Sequence, residues 1–208
     1  PAYRIRTERL VVRCWSPADA PLLVDAMKAS AAHLRPWMPW AQDEPKPLND
    51  KLALLREFRG KFDLGQDFVY AILDAAESRA LLECGAIEIG YWVHVAEQGK
   101  GYITESTAAL VRVAFELLDY RRVEIRNDPR NVRSGAVPRR LGFALEGTKR
   151  RCIGSDASGW QDAQMWTMLR EELPSSPAAA VAFEAYDVIG RPLLRRSTSG
   201  ETPRMTAP

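Results

Sequence analysis

Glu88-Ile-Gly-Tyr-Trp-Val-His-Val-Ala-Glu-Gln98-Gly99-Lys100-Gly101-Tyr102-Ile103-Thr104 is the stretch on which the fold turns. The run Ile87 to Val95 reads as a strand, Gln98 to Gly101 as a turn, and Thr104 to Leu118 as the clearest helix. Val111, Ala114, Phe115 and Leu118 fall on one stripe of that helix. A helix that starts on a glycine turn presents unpaired N–H groups and the positive end of its dipole, which together suit phosphate. Gly99 and Gly101 let backbone approach such an anion with no Cβ in the way. Two familiar phosphate loops are excluded. Thr104 stands where a dinucleotide fingerprint needs its third glycine, and Lys100 is followed by Gly101 rather than by Ser or Thr. An ordinary strand-to-helix turn stays open as the other reading.

Upstream, Arg4 to Arg13 reads as a strand, and Ser16-Pro17 as the cap and first residue of a helix to about Lys28. Leu34 to Pro47 carries four prolines and two tryptophans and reads as a stiff loop. Asn49 caps a second helix with Leu52, Leu55 and Phe58 on one side, and Phe68–Leu73 and Ala80–Cys84 read as strands. Downstream, Arg122–Asn127 is a strand, and Asn131 caps a short helix ending at Gly142, which suits the left-handed C′ position. Strands at about Phe143–Thr148 and Asp162–Leu169 complete a domain spanning 1–173. The proline-rich remainder, 174–208, reads as an appendage with one short helix near Ala178–Tyr186 and a disordered end.

The 208 residues are 46% hydrophobic and 27% charged, enough for one sizeable core. A net charge of +2 does not mark a nucleic-acid or polybasic membrane protein, but it is unevenly spread. Between Arg121 and Arg151 ten basic residues face only Glu124, Asp128 and Glu146, which reads as a solvated face or as a site for a phosphorylated polyanion. No apolar run approaches the roughly 20 residues of a membrane span, and no secretory signal is expected at the N-terminus. The start at Pro1 reads as processed or trimmed. Cys14, Cys84 and Cys152 make no disulfide framework, and with His33 and His94 they make no zinc spacing, so no metal and a cytoplasmic, reducing compartment are expected. Cys84 and Cys152 read as buried or semi-buried thiols.

Gln98-x-x-Gly101-x-Ile103 resembles the Arg/Gln-x-x-Gly-x-Gly/Ala signature of the GNAT acyl-CoA N-acyltransferases, with Ile103 in place of the usual small third residue. Further matches are Glu88-Ile-Gly-Tyr-Trp92, Asp128-Pro-Arg-Asn131-Val-Arg-Ser134 through Leu-Gly-Phe143, Leu145-Glu-Gly147, Thr7-Glu-Arg-Leu-Val-Val-Arg13, and His33-Leu-Arg-Pro-Trp37-Met-Pro-Trp40. Together these resemble the branch of ribosomal-protein alanine/serine N-terminal acetyltransferases, over about Thr7 to Arg170. The resemblance implies an α+β, three-layer fold. Its central sheet is mixed, mostly antiparallel, flanked by helices, and splayed near Val93 where acetyl-CoA binds. It implies direct transfer of acetyl to a primary amine, namely the N-terminus of a protein or peptide. A small-molecule amine, such as an antibiotic or toxin, and a non-catalytic acyl-CoA-binding module remain as alternatives. Membrane and nucleic-acid partners are not expected, and a homodimer is left open.

Residue by residue, the resemblance puts backbone at Val93 and Val95 on the pantetheine amides. It puts Gln98, Gly99, Lys100, Gly101, Tyr102 and Ile103 on the pyrophosphate, and Asn131 and Ser134 near the thioester. Independent of it, Pro138 lies inside the helix begun by Asn131 and has no N–H for the carbonyl of Ser134 four residues back. Ser134 then reads either as the acid that protonates the leaving thiolate or as a capping residue. The Glu found in some members after the sixth strand is missing from Arg150-Arg-Cys-Ile-Gly-Ser-Asp156. Glu88 is the best remaining base and Asp162 a weaker second, although Glu88 reads equally as a surface ion-pair partner. Trp37 and Trp40 read as walls of an acceptor cleft or as packing anchors, and His33 as a helix-end polar residue. His94 is expected on the strand face opposite Val93 and Val95. Finally, Gly85 runs straight into Ala86 where family members carry a longer loop, which reads as a tight hairpin or a missing segment.

Overall fold

The computed structural model describes residues 1–78, 80–84, 88–155 and 159–195. The expected first strand is a hairpin, β1 (Arg4–Arg6) and β2 (Leu10–Cys14). It turns where the Thr7 hydroxyl accepts from the Leu10 N–H at 3.1 Å. Ser16 accepts from Ala18 N–H at 3.3 Å while Asp19 reaches back to Ser16 N–H at 2.8 Å, a capping box that starts a 3-10 turn and then α1 (Ala20–Leu34). α1 outruns the expected Lys28 to Leu34; Arg35 still has helical backbone and donates to Ala31 O at 3.0 Å, and the next residue, Pro36, has no N–H with which to carry the helical bonding on. The proline-rich loop contains a 3-10 turn (Pro39–Asp43) before α2 (Leu48–Asp63), and Pro47 rather than Asn49 is the N-cap.

β3 (Tyr70–Asp74), β4 (Ala80–Cys84) and β5 (Tyr91–Val93) lead to α3 (Tyr102–Glu116), then β6 (Arg122–Asn127). α4 (Val132–Leu141) is capped by Asn131 Oδ1 on Ser134 N–H at 3.1 Å and ended by Gly142 at φ 86°. The next two strands are longer than expected, β7 (Ala144–Ser155) and β8 (Gly159–Leu169). The thiol of Cys84 and the joint at Gly85–Ala86 lie outside the described residues, whereas Cys152 is exposed rather than semi-buried.

Residues 174–195 correct the expectation of a peripheral appendage. In place of a helix near Ala178–Tyr186 there is a 3-10 turn (Pro177–Ala180), then β9 (Glu184–Tyr186), and β10 (Pro192–Arg195) follows. β9 pairs antiparallel with β1, Ile5 opposite Ala185, so the segment extends the main sheet. Ala178, Phe183 and Ala185 join the core. The buried Arg112 of α3 shows why the segment belongs there: it pairs with Glu116, donates to Val181 O at 2.7 Å and lies over the Phe183 ring.

The main sheet has the order β10-β9-β1-β2-β3-β4-β5, and β6-β8-β7 form a second sheet, with every strand pairing antiparallel. Side chains alternate across the first sheet. Leu10, Val12, Tyr70, Ile72 and Tyr91 join the cluster that includes α3, while Val11, Ala71, Leu73 and Trp92 join the one that includes α1. The two sheets touch through one parallel bridge, Glu88 with Glu124, where Ile89 N–H donates to Glu124 O at 2.8 Å. Beyond Gly90 they part: β5 is the last strand of one sheet and β6 the first of the other. This is the expected α+β architecture with its splay.

Candidate active site

The parting opens a cleft of about 1040 Å³. Tyr91, Trp92 and Val93 form one wall, the turn at Gln98, Gly99, Gly101 and the start of α3 an end, and the first turns of α4 the facing wall. His33 and Leu34 from the end of α1, with Trp37 and Met38 from the loop after it, close a side.

The turn has the geometry an anion needs. Gly99 and Gly101 sit at φ 76° and 81°, in the left-handed region that glycine enters without penalty. Gly101 is the N-cap of α3, so the N–H groups of the first turn have no intrahelical acceptor, and Ile103 and Thr104 line the cleft. Arg9 braces the turn from behind: it donates to Lys100 O at 3.0 Å and to Glu105 at 2.7 Å, and stacks on Tyr102.

Gln98 spans the mouth. Its Oε1 accepts from Arg133 Nη1 of α4 at 2.6 Å, and its Nε2 lies 2.9 Å from His33 Nε2 of α1. With Oε1 taken by arginine, the amide N–H donates, so His33 accepts at Nε2 as the neutral ring. Burial first, and then the charge of Arg133, hold the His33 pKa below the ordinary 6.5. An NMR titration is expected to place His33 below 6.5, and Arg133→Ala to raise it. An unchanged or lowered value in that variant would exclude the electrostatic contact.

Of the ten basic residues in the 121–151 segment, Arg130, Arg133 and Arg140 line the cleft. Arg130 is paired with Asp128 at 2.5 Å, whereas Arg140 makes no ion pair among the described residues. Elsewhere Arg122 is tied to Glu124 and Glu146, and Arg126 to Glu88. The local surplus thus narrows to a few guanidinium groups facing the glycine turn.

Asn131 and Ser134 line the cleft, and both backbone polar groups of Ser134 are held by side chains. Its N–H donates to Asn131 Oδ1 at 3.1 Å, and its carbonyl accepts from the Tyr91 hydroxyl at 3.0 Å. Behind this turn Trp166 Nε1 donates to Asn127 Oδ1 at 2.8 Å, and Asn127 Nδ2 to Asp128 O at 2.8 Å, fixing the entry to α4.

Five expected site residues, Val95, Lys100, Trp40, Glu88 and Asp162, lie off the cleft. Val95 has its N–H on Ser30 Oγ at 3.1 Å, because β5 ends at Val93 and a 3-10 turn begins. Its neighbour His94 caps that turn through Nδ1 instead of continuing the strand. The Lys100 ammonium is turned onto the buried Glu97 at 2.7 Å. Trp40 parts from Trp37: it lines a second cavity of about 630 Å³ and meets Trp92 edge-on at 6.5 Å. Glu88 pairs with Arg126 at the bridge between the sheets. Burial raises its pKa, which would suit a base, but its place away from the cleft argues against that role, and geometry comes first. Asp162 accepts from Arg151 N–H at 2.8 Å, also away from the cleft. Tyr91, His33 and Arg133 are the contributors that sequence reasoning missed. The carbonyl freed by Pro138 was the one signal for a donor such as Tyr91.

The donor set fits an extended acyl-CoA: N–H groups and guanidinium groups for phosphate at one end, and strand edge with Val93 and Val137 for a less polar arm. Among the described residues, no group of three or more His, Cys, Asp or Glu could hold a metal ion, and no helix is long and apolar enough to cross a membrane.

Known proteins agree with this geometry. The chain matches the acetyltransferase (GNAT) domain family over residues 9–144. It is 30% identical over 158 residues to "Putative ribosomal N-acetyltransferase YdaF" of Bacillus subtilis (strain 168), covering 69% of this chain and 82% of that protein. It is 29% identical over 176 residues to [Ribosomal protein uS5]-alanine N-acetyltransferase of Escherichia coli (strain K12), covering 78% of this chain and 88% of that one. The fold is similar to that of the microcin C7 self-immunity acetyltransferase MccE, solved with acetyl-CoA and AMP, with a TM-score of 0.72 at 17% identity. That likeness covers 78% of this chain and 93% of the solved one. The glycine turn, the parted sheets and the family match lead to one conclusion: the chain belongs to the acetyltransferase (GNAT) domain family, in the company of ribosomal-protein N-acetyltransferases.

Proposed function

We propose that this acetyltransferase moves acetyl from acetyl-CoA to the N-terminal α-amine of a protein or peptide, in the cytoplasm, by direct attack. Acetyl-CoA supplies an acetyl group activated as a thioester. The observation that carries the choice of acceptor is the scarcity of available bases: among the described residues lining the cleft, Glu97 is the one carboxylate and is buried beneath Lys100, and the neutral His33 ring has its Nε2 engaged by Gln98. The rate therefore follows the fraction of acceptor that arrives as the neutral amine. At pH 7.4 roughly a fifth of an α-amine with a pKa near 8 is neutral, against about 0.1% of a lysine side chain, a difference of about 200-fold.

Val93 backbone holds the pantetheine arm, the turn from Gln98 to Ile103 holds the pyrophosphate, and Arg140 adds charge on the facing wall. Ser134 stands where the thiol leaves. As nitrogen bonds to the carbonyl carbon and the C–S bond breaks onto sulfur, the Ser134 hydroxyl gives sulfur its proton. It regains one, through water, from the nitrogen that sheds it, so the products are an amide and a neutral thiol.

Thiol release and intact mass, measured over N-terminal peptides, lysine-only peptides and aminoglycosides, test this reading. N-terminal peptides are expected to react at least about 100-fold faster than lysine-only ones at pH 7.4. Exclusive turnover of aminoglycosides would overturn the acceptor, and no turnover with any amine the reaction. Ser134→Ala is expected to lower kcat about 10- to 100-fold with little change in acetyl-CoA binding.

A further inference from the structure

Pro138 lies in the middle of α4 and withholds the N–H that would close the helical bond to the carbonyl of Ser134. An acceptor left open there, at a half-buried position, calls for another donor. The structure supplies one from the opposite side of the parted sheets. Tyr91, on the edge strand β5 and itself 8% exposed, donates its hydroxyl to Ser134 O at 3.0 Å. β5 belongs to one sheet and α4 packs on β6 of the other, so this bond crosses the splay close to where the sheets separate. Ser134 is then gripped at both ends of its backbone, by Asn131 at the N–H and by Tyr91 at the carbonyl. A residue held at both backbone polar groups has its Cα and Cβ fixed, so its hydroxyl is confined to the few positions that the staggered χ1 rotamers allow.

We propose that Tyr91 is a positioning residue for Ser134: its hydroxyl replaces the helical N–H that Pro138 withholds, and so fixes where the Ser134 hydroxyl stands in the cleft. This rests on the reading of Ser134 as the proton donor. It gives proline and tyrosine a joint purpose. A continuous helix would satisfy the carbonyl within α4 alone and leave the two halves of the cleft unconnected at this point. Moving the acceptor's partner onto β5 makes the place of Ser134 follow the strand that carries the cofactor wall.

The test is a set of substitutions read in two ways. Without any cofactor, Tyr91→Phe is expected to lower the unfolding midpoint by about 4 °C, for an acceptor left without its donor. In a Pro138→Ala background the helix has its own N–H to offer, and the same substitution is expected to cost under about 1 °C. Equal losses in the two backgrounds would overturn the proposal, because the hydroxyl would then be serving something other than this carbonyl. In turnover, Tyr91→Phe is expected to lower kcat about 10-fold while the KM for acetyl-CoA stays within about twofold, and Pro138→Ala to restore most of that loss. In a Ser134→Ala background Tyr91→Phe is expected to have no further effect on kcat. A full additional 10-fold loss there would show that Tyr91 acts on the reaction by itself and overturn the positioning role. A Ser134→Ala variant with unchanged kcat sinks the reading of Ser134, and the positioning role with it, whatever the midpoints show about the hydrogen bond.

Discussion

A chain ended at Leu173 is expected to lose cooperative unfolding. The deletion takes Ala178, Phe183 and Ala185 out of the core and removes the strand that pairs with β1. Loss of one buried phenylalanine side chain typically costs about 3–5 kcal/mol. Arg112, 1% exposed, also loses its carbonyl acceptor at Val181 and its aromatic neighbour Phe183, which leaves a cation half-satisfied beneath a missing roof. Breaking a buried charge's contacts costs about 3–5 kcal/mol in comparable settings. These two terms together rival the entire 5–15 kcal/mol that holds a typical domain folded. Thermal denaturation followed by circular dichroism and size-exclusion chromatography is the check. A sharp transition within about 5 °C of the parent would show that the segment is dispensable. Phe183→Ala separates packing from truncation and is expected to lower the midpoint by roughly 10 °C.

The second large effect concerns the cofactor. Gly101→Val is expected to weaken CoA binding more than about 30-fold, measured by calorimetry, with a much smaller loss of stability. The reason is conformational rather than steric: Gly101 sits at φ 81°, while a Cβ built there meets only Arg9 Nη2 at an ordinary 3.5 Å. For an L residue this region costs roughly 1–2 kcal/mol, and more with a β-branched side chain. The cheapest relief is to rotate the turn, which moves the N–H groups of Ile103 and Thr104 away from the anion. Gly90→Ala is the control. It has no left-handed φ and nothing within 4 Å of an added Cβ, so it is expected to be silent. If Gly101→Val binds CoA normally, the turn does not hold the pyrophosphate.

Local signals were legible wherever the physics is local. Ser16, Asn131 and Gly142 take the cap positions that their side chains, or lack of one, favour. The glycine turn before α3 was visible because glycine enters its left-handed backbone without penalty. Some failures are local, as where Pro47 takes the cap expected of Asn49 and His94 caps a 3-10 turn, but the larger ones are non-local. β9 was read as helix because its strand character comes from pairing with β1, some 180 residues earlier, which no short window contains. The motif puts Lys100 in the glycine turn, but it carries no sign that the ammonium itself is turned onto the buried carboxylate of Glu97. Trp37 and Trp40 share a sequence motif, yet a 3-10 turn beginning at Pro39 sends them to different cavities. Pro138 announced a vacant carbonyl, but the sequence holds no sign that Tyr91 would answer it from 43 residues away.

The parting of the two sheets after the Glu88–Glu124 bridge has a wider consequence. An unpaired strand edge ordinarily invites a stranger's backbone and is a hazard for self-association. Here the exposed ladder is three residues long, Tyr91 to Val93, and it lies at the bottom of a furrow rimmed by α1, α3 and α4. A foreign strand would find too few rungs and no room. A slender ligand with amides of its own needs no more rungs than these, so under the proposed function the edge that would endanger an open sheet becomes the seat of the pantetheine arm.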